Sequence, residues 1–231
     1  QRAVNSFDNV TLLVATEDER IHKHCTNQGV RCVMTSDDCA TGSDRVLQAL
    51  DNENIVADLV IGLQGDAPGT PFDAIPKMIE LYRKTQDFDV ITPVVNLSWE
   101  ELDKLRSAKE TTPFTGTTAL ITKDGNAVWF SKNIVPAIRK EDIMRQTSEK
   151  SPVFQHLGLY GFKHSALKRF VSLDQGHYEQ LEGLEQLRLL ENGMTIKTYT
   201  LEIQEGLTQA GVDSPEDIKR FEAYTKTRTQ I

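Results

Sequence analysis

The sequence predicts an α/β protein with a mixed, mostly parallel central sheet, and two observations carry that reading. Short apolar, β-branched runs alternate with helical segments from Asn9 to Asp66, as in βαβ units. One of these runs, Ile55 to Gly62, stops abruptly at Leu63-Gln64-Gly65-Asp66. Gly65 lets the backbone turn, and Pro68, Gly69 and Pro71 block a return to regular structure. A carboxylate is left at the carboxyl end of a strand, where open α/β sheets bind ligands. A plain turn residue is the competing reading of Asp66.

Taken in order, Gln1 to Ala3 reads as the end of a helix, and Asn9 to Ala15 as a strand. Thr16 is the expected N-cap of a helix that starts with Glu17, Asp18 and Glu19 and ends at Gly29. Val30 to Met34 is a strand and Asp44 to Leu50 the core of a helix. Ala74 to Thr85 places Ile75, Met78, Ile79 and Tyr82 on one helical face. A strand, Asp89 to Val95, precedes a helix opened by the capping box at Ser98. Thr111 to Thr118 is loop. Thr118 to Thr122 and Ala127 to Phe130 form a hairpin about Asp124-Gly125.

Asn133 to Pro152 reads as irregular, Gln155 to Phe162 as one strand, and Ser165 to Phe170 as a short helix. Tyr178 to Glu191 reads as one helix with an apolar stripe of Leu181, Leu184, Leu187 and Leu190. Thr195 to Tyr199 is the last long strand, and Ser214-Pro215 opens a terminal helix.

The 231 residues are 39% hydrophobic and 26% charged, so the chain has the means to build a sizeable core. A net charge of −8 argues against general nucleic-acid or anionic-membrane binding. No apolar stretch is long enough to cross a bilayer. Cys25, Cys32 and Cys39 lack zinc-site spacing and read as free thiols in a reducing cytoplasm.

Asp66 and Asp213 each end a strand-like run just before a helix-starting segment. Two carboxylates with open positions suit Mg²⁺, a hard cation that keeps water or phosphate ligands. A helix-terminus charge is the equally open reading of Asp213. Thr41-Gly42-Ser43-Asp44-Arg45 offers backbone N–H groups and hydroxyls to a base edge or phosphate, or is simply an N-cap. Glu182 and Gln186 share a helical face at i, i+4, and His156 and Tyr160 share one side of a strand. The plainer readings are a solvated helix face and a structural histidine. His22 and His24 cannot face each other, and P-loop, nucleophile-elbow and zincin motifs are absent.

Together these segments resemble the CMP-Kdo synthetase family, the 3-deoxy-manno-octulosonate cytidylyltransferases. The matching pieces include Thr41-Gly42-Ser43-Asp44-Arg45, Leu63-Gln64-Gly65-Asp66-Ala67-Pro68, Trp129-Phe130-Ser131-Lys132, the run His156 to Phe162, Leu184-Glu185-Gln186-Leu187-Arg188 and the run Gly211 to Asp217. They occur in family order over nearly the whole chain.

The resemblance implies a nucleotide-diphosphosugar-transferase-like three-layer sandwich and a homodimer, with residues 97–155 or so contributing the dimerisation part. The implied reaction joins CTP to an acidic eight-carbon sugar, giving CMP-sugar and pyrophosphate with Mg²⁺, in lipopolysaccharide biosynthesis. By the same analogy Asp66 and Asp213 hold the metal, and Gln64 lies near sugar and nucleotide. His156, Tyr160, Glu182 and Gln186 line the sugar pocket, and Thr41, Gly42, Ser43 and Arg45 sit at the cytidine. Catalysis by positioning and charge neutralisation needs no enzyme nucleophile.

The sequence departs from the family pattern in several places. The family opens with a strand and a phosphate loop that precede the first residue here, so the sequence is expected to be incomplete at that end. Ala67 stands where the family has glutamate, Ser36 where arginine is usual, and Thr118 where lysine is usual. Fewer charges near the ligand suggest the 8-amino analogue of the sugar as a second candidate substrate. A sialic-acid cytidylyltransferase and a catalytically inactive nucleotide-sugar binding protein are the remaining competing functions.

Overall fold

The computed structural model describes residues 7–71 and 73–202, with Val212, Glu216, Ile218, Lys219 and Glu222 beyond them. The strands are β1 (Val14–Thr16), β2 (Cys32–Met34), β3 (Leu59–Gly62), β4 (Val90–Ser98), β5 (Thr118–Ile121), β6 (Ala127–Ser131), β7 (Lys150–His156), β8 (Tyr160–Lys163) and β9 (Ile196–Thr200). The helices are α1 (Glu19–Asn27), α2 (Gly42–Asn52), α3 (Ala74–Lys84), α4 (Trp99–Thr111), α5 (Glu141–Thr147), α6 (His164–Val171), α7 (His177–Glu182) and α8 (Glu185–Glu191).

Strands β1 and β2 pair in parallel as a separate two-stranded sheet. The main sheet has seven strands in the order β3-β8-β4-β7-β5-β6, with β9 along the other edge of β4. Among the described residues its one parallel pairing is β4 with β9, and the others are antiparallel. The sheet is therefore mixed but mostly antiparallel, which corrects the mostly parallel sheet expected from the sequence. Strands β3 and β4 do run the same way, since each is antiparallel to β8, which lies between them. A strand buried on both faces shows no direction in its composition, so the alternation of elements does not reveal the insertion.

The sheet is covered on both faces, giving three layers. One face carries Val90, Val94, Phe130, Phe162 and Ile196 in the core shared with α2, α6 and Leu187 of α8. The other carries Ile91 and Val95 against Met78 of α3 and Leu102 of α4. The sheet also curls: Asn126, in the β5–β6 turn, bridges Lys197 on β9. Gly125 in that turn has φ +79°, a conformation few other residues tolerate.

Four further expectations are corrected. The stretch 133–152 holds α5 and the start of β7 rather than irregular chain only. The single strand expected over 155–162 is two strands, both lying on the side of β4 opposite β9. Leu157 to Leu159 bulge between them, and the Thr92 hydroxyl donates to the Leu159 carbonyl at 2.8 Å. The long helix expected over 178–191 is broken into α7 and α8 at Gly183, whose φ of +64° ends the first. Leu181 is consequently exposed, while Leu184 and Leu187 are buried. The first helix is capped by Asp18, which accepts from Arg20 N, and Thr16 instead accepts from Asp18 N. The helix end at 1–3 and the cap at Ser214-Pro215 lie outside the described residues.

Candidate active site

The β3–β8 register sets the frame of the site. Gly62, the last residue of β3, pairs with Tyr160, the first of β8. The chain that leaves β3 therefore starts beside the tyrosine. Leu63, Gln64, Gly65 and Asp66 are all exposed there. The Gln64 carbonyl accepts from Ala67 N at 3.2 Å, closing the turn. The Asp66 carbonyl accepts from Val212 N at 2.7 Å. No described residue donates a hydrogen bond to the Asp66 carboxylate. Asp213 lies outside the described residues. Among the described residues no three His, Cys, Asp or Glu side chains cluster to hold a metal.

His156, Tyr160 and Gln186 come together. The His156 and Tyr160 ring centroids are 5.4 Å apart, although the two residues sit on different strands. His156 Nε2 lies 2.8 Å from Thr92 Oγ1. Because the Thr92 hydroxyl donates to Leu159 O, the imidazole must donate to Thr92, which puts its proton on Nε2. Burial, then the positive charge of Lys132, pushes the His156 pKa down to about 3, so the ring is neutral. The Tyr160 hydroxyl donates to Gln186 Oε1 at 3.0 Å. Burial raises the phenol's pKa far above its ordinary value, with the Glu185 charge adding to the effect. Gln186 Nε2 is buried and meets no acceptor among the described residues.

Glu182 and Gln186 do not share one helix, which corrects the i, i+4 reading. Glu182 ends α7 and grips β6 instead: it accepts from Ser131 Oγ at 2.9 Å and from Lys132 N at 2.7 Å. Gln186 lies in the first turn of α8. At the other side, Thr41 forms a full capping box with Asp44, its hydroxyl 2.6 Å from Asp44 Oδ2. Gly42 and Ser43 are the first two residues of α2. Arg45 pairs with Glu17 at 2.6 Å and donates to Thr35 Oγ1 at 2.7 Å. The Thr41 hydroxyl and the Arg45 guanidinium thus already have protein partners.

Several groups at the site escape a reading of the sequence. Thr92, a hydroxyl among the apolar residues at the start of β4, orients His156; its place between Ile91 and Pro93 is the available signal. Glu185 is a half-buried carboxylate whose pKa is raised by burial; Arg188 pulls it down, while Glu179 and Asp44 push it further up. Glu179 and Arg188 form a buried two-pronged ion pair at 2.6 and 2.7 Å. Lys109 Nζ lies within hydrogen-bond reach of the carbonyls of Pro113, Thr115, Gly116 and Lys132, pinning the loop after α4 to the end of β6. Nothing in local spacing announces these long-range partners.

Three layers about a curled sheet, with polar groups gathered beyond a strand end, define an α/β protein with a ligand site at the sheet edge. The chain belongs to the cytidylyltransferase family, whose model matches residues 1–196, and it is therefore an enzyme of nucleotidyl transfer. It is similar to the 3-deoxy-manno-octulosonate cytidylyltransferase of Maricaulis maris (strain MCS10), with 38% identity over 229 residues, 99% of this chain and 85% of that protein. The enzyme of the same name from Elusimicrobium minutum (strain Pei191) is 33% identical over 225 residues, 97% of this chain and 85% of that protein. A solved structure of a CMP:2-keto-3-deoxy-manno-octonic acid synthetase complexed with CTP superposes with a TM-score of 0.81. It covers 98% of this chain and 86% of its own at 23% identity, a likeness of fold. Among the described residues no helix is long and apolar enough to cross a membrane.

Proposed function

We infer that this chain joins CTP to 3-deoxy-manno-octulosonate, releasing pyrophosphate and forming the CMP-sugar used in lipopolysaccharide biosynthesis. The observation that carries this is the 38% identity to an enzyme so named, over 99% of this chain and 85% of that protein. Relatives bearing the name of the plain sugar support it over the 8-amino analogue and over sialic acid.

In the proposed reaction the sugar's anomeric hydroxyl oxygen attacks the α-phosphorus of CTP. The new P–O bond forms as the bond to the bridging α–β oxygen breaks, and pyrophosphate leaves. No side chain needs to act as nucleophile. Asp66 and Asp213 are the proposed holders of a divalent cation, Mg²⁺ by the oxygen character of the pair. Such an ion, when bound, neutralises phosphate charge. Two observations favour these residues: the exposure of Asp66, and the backbone bond from Val212, the residue before Asp213 in the sequence, to Asp66.

The neutral His156, Tyr160 and Gln186 form the proposed sugar wall, with Gln64 at the junction with the nucleotide. The unpaired Gln186 Nε2 suits an acceptor-rich sugar acid, because an empty buried donor is costly and a ligand oxygen relieves it. Glu182 has the role of fixing the end of β6 beside that wall. Thr41, Gly42, Ser43 and Arg45 are proposed for the cytidine side, with a homodimer formed through residues 97–155 and a cytoplasmic setting where CTP is available.

The test is pyrophosphate release with CTP, Mg²⁺ and each of three sugars. Release with 3-deoxy-manno-octulosonate, and much less with its 8-amino analogue or sialic acid, is expected. No release with any sugar would overturn the reading.

A further inference from the structure

Thr92 on β4 is fully buried, and its hydroxyl lies among three atoms. His156 Nε2 and the Leu159 carbonyl are each 2.8 Å away, and the Leu157 carbonyl is 3.3 Å away. A hydroxyl has one proton to give. The nearer carbonyl takes it, so the imidazole supplies the proton of the bond that it shares with Thr92. Leu157 N donates to the Pro93 carbonyl at 3.1 Å. Two adjacent residues of β4 thus pin the short link between His156, which ends β7, and Tyr160, which starts β8. Which ring nitrogen holds the proton decides what the other one can do. The two nitrogens of an imidazole point in diverging directions, so Nδ1 faces away from Thr92. The ring is flanked by Phe130 and Tyr160, with centroids at 4.9 and 5.4 Å. The Tyr160 hydroxyl is engaged with Gln186. No described residue hydrogen-bonds His156 Nδ1.

We propose that Thr92 is a positioning residue for the sugar: by holding the His156 proton on Nε2, it presents Nδ1 as an acceptor to a substrate hydroxyl. This rests on the reading of His156 as part of the sugar wall. Thr92 touches no substrate and acts through the imidazole. A neutral ring with its proton on Nε2 has only a lone pair at Nδ1. A carboxylate has no proton to give and meets that lone pair unfavourably, whereas a hydroxyl donates to it. The wall therefore takes a hydroxylated part of the sugar acid rather than its acid group. Gln186 Nε2, buried and without an acceptor among the described residues, adds a donor to the same wall. Hydroxyls, donors and acceptors alike, satisfy both functions.

The experiment is nitrogen-15 NMR of the imidazoles in the full chain at neutral pH, with His156 assigned by its loss in His156→Gln. The wild type is expected to carry the His156 proton on Nε2, and saturating 3-deoxy-manno-octulosonate is expected to shift the Nδ1 signal. Thr92→Val removes the hydroxyl at nearly constant size. The other tautomer should then appear, and the KM for the sugar should rise about tenfold, with little change in kcat or in the KM for CTP. Thr92→Ser keeps the hydroxyl and should retain the wild-type tautomer and sugar KM. A proton on Nδ1 in the wild type, or an Nδ1 signal unmoved by the sugar, would overturn the proposal. So would a parallel rise of both KM values in Thr92→Val, or a Thr92→Ser chain as impaired as Thr92→Val. The wild-type spectrum decides the tautomer even if a variant folds poorly. Pyrophosphate release with the proton found on Nδ1 sinks this proposal alone, whereas no release with any sugar sinks the cytidylyl-transfer reading whatever the tautomer.

Discussion

The Tyr160 hydroxyl meets the side-chain carbonyl of Gln186 at 3.0 Å, and the amide nitrogen of the same glutamine is buried without an acceptor among the described residues. One half of this side chain is satisfied by the protein and the other half is not. A buried donor left empty costs about 1–3 kcal/mol. A bound oxygen would recover that energy. Tyr160→Phe removes the internal partner and leaves Gln186 free to turn. The expected result is a loss of about 1–3 kcal/mol in urea unfolding. The KM for the sugar should rise about tenfold, the equivalent of 1.4 kcal/mol, with a much smaller change in the KM for CTP.

His156 supports a pH prediction. Its pKa is depressed to about 3 in the folded chain, mainly by burial. An unfolded histidine takes up its proton near 6.5. Between those values the unfolded state binds more protons, so stability falls as the pH drops from about 6.5 toward about 3. His156→Gln keeps a donor near the position of Nε2 and cannot titrate. Urea midpoints measured across this range should slope less in the variant than in the wild type.

The α4–α5 contact has its own acid limb. Glu141 accepts from Arg106 and from Arg145, and these bonds lower its pKa from 4.5 to about 2. The lowered value means the stabilisation is fully present above pH 4.5 and is lost as the pH falls toward 2. Glu141→Gln should flatten that limb and leave stability near pH 7 reduced. An unchanged limb in thermal unfolding at low pH would contradict this assignment.

The Glu179–Arg188 pair lies under the α7–α8 break, and Arg188 also stacks over Phe170 at 4.6 Å. Removing one member of a buried pair strands the other charge, at a cost of about 3–5 kcal/mol. Glu179→Ala should lose that much in urea denaturation. Replacing both residues by apolar ones of similar size should lose far less, which a double-mutant comparison can measure.

Much of this architecture is legible in the sequence because its signals are local. The caps at Thr41 and Ser98, the hairpin at Gly125 and the abrupt end of β3 all follow from a few adjacent residues. Strand direction is not legible. Strands β7 and β8 lie inside the sheet, and only their partners on either side fix which way they run. The break at Gly183 is hidden because glycine inside a leucine-rich helical pattern reads as tolerated. At the site, residue types are legible but their company is not. A two-residue repeat groups His156 with Tyr160 correctly but for the wrong reason, since a bulge at Leu157 to Leu159 brings them together. Helical spacing groups Glu182 with Gln186 on a helix that does not exist as one piece.

The most direct measurement is turnover of CTP and 3-deoxy-manno-octulosonate against Mg²⁺ concentration in the wild type, Asp66→Asn and Asp213→Asn. Asp66 is exposed, so its variant should fold as the wild type does. Both variants are expected to lose on the order of 100-fold in turnover and to need more Mg²⁺ for what remains. Wild-type turnover with an unchanged Mg²⁺ requirement in either variant would contradict the pairing of these two carboxylates around one ion.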